Sequence, residues 1–170
     1  QQVARVDYEH DSEAAAGIED ALVERATALS ARAGAIIVSD YLKGCITRRL
    51  VNVLVGITRS RGIPLLVDPK IPHIDYYAGA SLVTPNHHEA EVATHCRIRN
   101  DDEAAEAARR FRERAGCEGV LVTRGEHGMW LFDGENEGAL ELSGGNAAIE
   151  VIALALIDLA TADQKLVFLN

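Results

Sequence analysis

Four polar clusters in this chain each follow a short apolar run, and each offers a definite chemistry. Asp40, in Val38-Ser39-Asp40-Tyr41-Leu42-Lys43-Gly44, either caps a turn or presents a carboxylate to a ligand. Asp68-Pro69-Lys70 sets a carboxylate and an ammonium side by side. Proline removes a backbone donor there and keeps Asp68 extended. The lysine can meet a phosphate as a point charge or simply close a surface ion pair. Thr84-Pro85-Asn86-His87-His88-Glu89 is the most informative stretch. Capping alone explains Asn86 with Glu89, yet the same geometry gathers a carboxylate and exposed N–H groups at a positive helix end. Such an end can hold a phosphate with its Mg2+. Thr123-Arg124-Gly125-Glu126-His127-Gly128 puts two glycines in a tight connection. That suits a plain β-turn or a nucleotide phosphate packed on the backbone.

Other chemistries find little support. His87 and His88 are neighbours, so in a helix they diverge by ~100° and do not make a two-His metal site. His95 beside Cys96 gives none either. The chain has no Walker A sequence, no complete G-x-G-x-x-G and no G-x-S-x-G, which weakens P-loop, dinucleotide-binding and hydrolase readings.

The elements that must position these residues alternate between helical and strand periodicity. A helix is expected from a cap at Asp11 or Ser12 to about Arg32, with Ile18, Leu22, Ala26, Leu29 and Ala33 inward and Gly34 as its stop. Ala35 to Val38 then reads as a strand buried on both faces. Thr47 caps a second helix with Leu50, Val53, Leu54 and Ile57 inward, and Gly62 ends it. Strands follow at Leu65 to Val67 and Ala80 to Val83, and a short helix runs from about His87 to His95. Asn100 with Glu103 resembles a capping box for a helix through Ala115, which Gly116 ends. Val120 to Thr123 and Met129 to Phe132 form a hairpin. A helix at about 147–162 and a strand at Leu166 to Phe168 close the chain. Strands separated by helices imply βαβ units and a mostly parallel sheet. The polar clusters then all fall at strand carboxyl ends, where open sheets of this kind bind ligands.

Composition agrees. The chain has 170 residues, one domain or part of a larger one, and 48% of them are apolar, enough for a core. Its net charge of −9 does not suit a nucleic-acid binder, which needs a basic patch. Arg48-Arg49 and Arg109-Arg110 read as solvated helix faces. Cys45, Cys96 and Cys117 form no C-x-x-C pair and read as reduced thiols of a cytoplasmic protein. No segment approaches the ~20 apolar residues of a membrane span, and no signal peptide is visible.

Taken in order, the motifs resemble the ribokinase-like (PfkB) carbohydrate kinases. The stretches are Arg5-Val6-Asp7-Tyr8-Glu9, Val38 to Gly44, Leu66-Val67-Asp68-Pro69-Lys70, Leu82 to Glu91, and Leu121 to Gly125. Pairing S-D-Y-x-K-G with V-D-P-K and T-P-N-x-x-E is similar to the bacterial D-glycero-β-D-manno-heptose-7-phosphate kinases of ADP-heptose synthesis. The resemblance covers about residues 4–135. It implies a doubly wound α/β fold with helices on both faces of a mostly parallel sheet. It implies transfer of a phosphoryl group from ATP, with Mg2+, to a sugar or sugar phosphate, and a homodimer in the full-length protein. Asn86 and Glu89 match the family motif that orders Mg2+ and phosphate. Thr123 and Gly125 match the segment that touches the nucleotide. Asp40, Lys43, Asp68 and Lys70 match positions lining the cleft, and Arg5 and Asp7 fall near the sugar side.

The chain also departs from that family. Residues 1–170 read as a partial kinase domain, without the family's amino-terminal Gly-Gly segment and lid and incomplete near residue 144. The G-A-G-D motif, whose Asp is the family's general base, is not found. Ser143-Gly144-Gly145-Asn146-Ala147-Ala148 keeps two glycines before a helix but offers no carboxylate. Residues left out near Ser143, a shortened chain, or an inactive paralogue that still binds sugar or nucleotide each account for that. No residue is therefore assigned as catalytic base. The tail Lys165 to Asn170 reads as a buried strand, with a faint resemblance to the first strand of a nucleotidyltransferase domain.

Overall fold

The computed structural model describes residues 15–140 together with the backbone of residues 165–169. The elements are α1 (Ala16–Ser30), β1 (Ala33–Ser39), α2 (Arg48–Arg61), β2 (Leu65–Asp68), a 3₁₀ helix (Ile71–Tyr76), β3 (Leu82–Val83) and α3 (His87–Thr94). They continue with α4 (Asp101–Ala115), β4 (Gly119–Thr123), a 3₁₀ turn (Gly125–His127), β5 (Met129–Phe132), β6 (Glu137–Leu140) and β7 (Lys165–Leu169).

Among the described residues one seven-stranded sheet results, in the order β6-β5-β4-β3-β2-β1-β7. β7, β1, β2, β3 and β4 run parallel, and β5 and β6 add an antiparallel edge. From β1 to β4 the chain steps one strand at a time in a single direction. Right-handed crossovers must then put every connecting helix on the same face. The core shows this. Leu54 of α2, Ala90 of α3 and Phe111 of α4 pack with Ile36, Val38, Leu65, Val67, Val83, Val120 and Val122. The alternate residues Ala35, Ile37, Leu66 and Leu82 form a separate apolar group on the opposite face. Among the described residues α1 to α4 thus cover one face. The helix expected at about 147–162 lies outside those residues. β7 pairs on the far side of β1, the reversal of strand order that makes the sheet doubly wound.

Most boundaries follow from local chemistry. Thr47 Oγ1 accepts from Leu50 N at 3.1 Å to start α2, and Gly62, at φ 64°, ends it. Gly116, at φ 67°, ends α4 in the same way. Several expectations need correction. α1 ends at Ser30, and Gly34 lies inside β1, where pairing of Ala33 with Lys165 extends the strand backwards. On the expected stripe of α1, Ala26 is buried and Leu22 and Leu29 are half-buried, joined by Val23 and Ser30, while Ile18 is 58% exposed. The proposed caps Asp11 and Ser12 lie outside the described residues, and Ala15 begins the helix without a side-chain cap. At α4, Asn100 accepts from Glu103 N, but the Glu103 carboxylate turns to Arg99 N instead, so only half a capping box forms. The strand expected at Ala80 to Val83 is confined to Leu82–Val83, and the 3₁₀ helix and β6 were not anticipated.

Phe111 is fully enclosed between α4 and the sheet. Phe111→Ala should cost about 3–5 kcal/mol of stability. Urea denaturation checks this, and a loss below about 1 kcal/mol would contradict the packing described.

Candidate active site

β1 to β4 end on one edge of the sheet, and the residues following them meet there. Register makes the first contact. Ser39 pairs with Asp68 across β1 and β2, so Ser39 Oγ donates to Asp68 Oδ2 at 3.1 Å. Alternation then separates the two acids. Asp40 continues the row of Ile36 and Val38 beneath the helices, whereas Asp68 continues the row of Leu66 on the opposite face.

Asp40 is only 1% exposed. Its Oδ1 accepts from Leu42 N at 2.8 Å, and its Oδ2 accepts from Tyr77 OH at 2.8 Å and lies 2.7 Å from His73 Nδ1. The contact to Leu42 is the turn-capping role, and it restrains a residue held at φ 56°. Protein donors, not solvent, surround the carboxylate that could have faced a ligand.

At the next strand ends, Lys70 Nζ donates to Glu89 Oε1 at 2.6 Å. Glu89 Oε2 accepts from Asn86 N at 3.0 Å, and Asn86 Oδ1 accepts from Glu89 N at 2.9 Å, a complete capping box on α3. Thr123 N donates to Pro85 O at 2.9 Å, and Asn86 bridges to Thr123, which ties β4 to the same set. Gly125 is exposed at φ 58°, with open space where a Cβ would sit. Its conformation, rather than crowding, calls for glycine. Lys43 stands exposed in the β1–α2 connection. Arg5, Asp7 and Ser143 to Ala148 lie outside the described residues.

The rim is crowded with charge. Burial, only partly offset by Ser39 and Lys70, raises the Asp68 carboxyl above its ordinary range. For Lys70, burial pulls downward, but Glu89, Asp68 and Asp40 outweigh it and hold the ammonium above its usual value. Among the described residues no group of three or more His, Cys, Asp or Glu forms a metal cage. A cavity of about 530 Å³ at the start of α2 is lined by none of these rim residues. Its Arg49 is already paired with Glu19 and Asp20, and its Arg48 donates to Asp75 O.

Sequence reasoning missed several members of the rim. Ser39 could have been found from strand register. His73 and Tyr77 carry no motif and reach Asp40 only through the 3₁₀ helix. Arg124 is buried, its Nη2 pairs with Asp101 at 2.8 Å, and it anchors the Gly125 turn to the start of α4.

Parallel strands ending in a polar rim, with α1 to α4 packed on one face, define an open-sheet α/β domain. The chain belongs to the pfkB family of carbohydrate kinases, which matches residues 7–145. The bifunctional protein HldE of Geobacter sulfurreducens is 39% identical over 132 residues, covering 78% of this chain and 27% of that protein. HldE of Azorhizobium caulinodans is 36% identical over 166 residues, covering 92% and 34%. This chain therefore spans about a quarter to a third of the length of these curated relatives. The fold is shared with Escherichia coli phosphofructokinase-2, solved in complex with fructose-6-phosphate, at a TM-score of 0.61 and 19% identity over 81% of this chain and 48% of that one.

The raised Asp68 pKa has a definite sign for stability. A folded state that holds this proton more tightly than the unfolded state is stabilised below the ordinary carboxylate range, and the gain is lost as pH rises through the folded pKa. Asp68→Asn should therefore make the protein more stable than the parent at pH 7, with the advantage fading in acid. Denaturant midpoints of both proteins across pH 3–8 test this. An advantage that grows as pH falls would refute it.

Proposed function

We propose that this chain forms part of a kinase active site that moves the γ-phosphoryl group of ATP to a hydroxyl of a sugar phosphate, heptose 7-phosphate. The single observation that carries the reading is the Lys70–Glu89 pair, 2.6 Å apart, seated at the capped amino end of α3. Membership of the carbohydrate kinase family supports the reaction class. The heptose branch is favoured by the S-D-Y-x-K-G, V-D-P-K and T-P-N-x-x-E stretches and by relatives named bifunctional protein HldE.

Phosphoryl transfer is mainly positioning and charge neutralisation. Lys70, with a partly exposed side chain, brings a point charge to a phosphate oxygen. The capping box takes the N–H groups of Asn86 and Glu89, which leaves those of His87 and His88 at the positive end of α3 to favour an anion. The open backbone at Gly125 lets a nucleotide lie against the β4–β5 turn. Glu89 with Asn86 would hold Mg2+ indirectly, through waters the ion keeps, because both Glu89 oxygens are already bonded to Lys70 and Asn86. When bound, Mg2+ would neutralise phosphate charge at this point. Asp68 and Lys43 are assigned to the cleft, and the family resemblance assigns Arg5 and Asp7, outside the described residues, to sugar recognition. Soluble small molecules in the cytoplasm are the partners this chemistry needs. Among the described residues no helix is long and apolar enough to cross a membrane.

A second reading, a sugar- or nucleotide-binding relic, is favoured by one feature: Ser143 to Ala148 holds no carboxylate to take the hydroxyl proton.

ADP release by the intact protein, given ATP, Mg2+ and heptose 7-phosphate, separates the two readings. Turnover supports the kinase, and calorimetric binding without turnover supports the relic. For the kinase, Lys70→Met should lower kcat/KM by about 100-fold or more, the usual loss when a charge-stabilising donor is removed. A loss under threefold would remove Lys70 from the site.

A further inference from the structure

Tyr77 belongs to none of the motifs that mark the rim, yet its hydroxyl joins two of the strand ends. Resting on the kinase reading above, we infer that Tyr77 is a positioning residue for Lys70, and that Asp40 serves the reaction through Tyr77 rather than by touching substrate.

The tyrosine is fully buried. Its oxygen accepts from Lys70 N at 2.9 Å. The one hydroxyl hydrogen can go to Asp40 Oδ2 at 2.8 Å or to Lys70 O at 3.2 Å. The bond to a carboxylate is the shorter and stronger. Burial, together with the nearby Asp40 charge, pushes the phenol far above its ordinary titration range, so the donor persists at any working pH.

These bonds close the segment from Lys70 to Tyr77 on itself. Lys70 is extended at φ −124°, ψ 134°, the 3₁₀ helix follows, and Tyr77 ends it. The last side chain of the segment thus grips its first backbone unit. Asp40 is held in turn by Leu42 N and by His73, whose ring stacks on Tyr76 with centroids 4.3 Å apart. A series runs Asp40, Tyr77, Lys70, Glu89, Asn86, with hydrogen bonds of 2.8, 2.9, 2.6 and 3.0 Å, entering Lys70 at its backbone N and leaving at Nζ. The Asp40 carboxylate, enclosed on the helix-covered face of the sheet, reaches the Lys70 backbone by hydrogen bonding through Tyr77.

Tyr77→Phe keeps the ring and removes only the hydroxyl. The chain's lysines are Lys43, Lys70 and Lys165. Site-resolved labelling with an amine-reactive reagent, read by peptide mass spectrometry, therefore reports Lys70 against two internal references. In folded Tyr77→Phe, Lys70 should label several-fold faster while Lys43 and Lys165 keep their rates. Its kcat/KM should fall by roughly 100-fold, the usual loss for a displaced catalytic contact. An unchanged Lys70 rate, or a changed rate with unchanged turnover, overturns the inference. Should the parent protein show no turnover, the kinase reading fails by itself, and the labelling still decides whether Tyr77 sets Lys70. Should Tyr77→Phe not fold, Asp40→Asn replaces it. That variant is expected to speed Lys70 labelling, and no change there overturns the inference equally.

Discussion

Everything at this rim depends on parallel strands that deliver their carboxyl ends to one edge while their side chains alternate between two faces. Because β1, β2, β3 and β4 step in one direction, right-handed crossovers stack α2, α3 and α4 on a single face. That layer gives the strand-end residues two different fates. A residue in the row of Ile36 and Val38 is pressed under helices, and one in the row of Leu66 is not. Asp40 and Asp68 leave adjacent strands at nearly the same height, and one step of alternation makes the first an internal anchor and the second a partly open acid.

The electrostatics follow from that crowding. Three carboxylates, Asp40, Asp68 and Glu89, act on one ammonium at Lys70. Asp40 is satisfied by donors on three sides, so its charge is tolerated in the interior. Asp68 has Ser39 and the more distant Lys70, and burial wins. A carboxylate left short of donors costs stability, and sites that handle charged ligands commonly retain such groups. A phosphate entering near Lys70 would meet an ammonium already held by Glu89, so its affinity depends on how that pair rearranges.

Legibility in the sequence followed the range of the interaction concerned. Caps and stops were readable wherever one residue acts on its own turn: Thr47, Gly62, Asn86 with Glu89, and Gly116. The β4–β5 hairpin was readable from its two glycines. Gly34 misled because a helix stop and a strand interior look alike until β7 is known to pair with Ala33. Ile18 misled because its apolar stripe packs only from Leu22 onward. The Glu103 carboxylate was placed on the wrong backbone N–H, since Asn100 and Arg99 are both within its reach. The rim itself was legible as a set of strand ends, but the partners within it were not.

By itself, then, the sequence determined the alternation of strand and helix, the parallel class of sheet, and the residue types that stand at each strand end. Those are consequences of periodicity and local hydrogen bonding, which act over a few positions. Only the tertiary structure decided that Ser39 meets Asp68, that Lys70 meets Glu89, and that Asp40 turns inward to Tyr77 and His73. Such contacts join residues 19 to 37 positions apart. They exist because strand register and the packing of the 3₁₀ helix bring those positions within hydrogen-bonding distance.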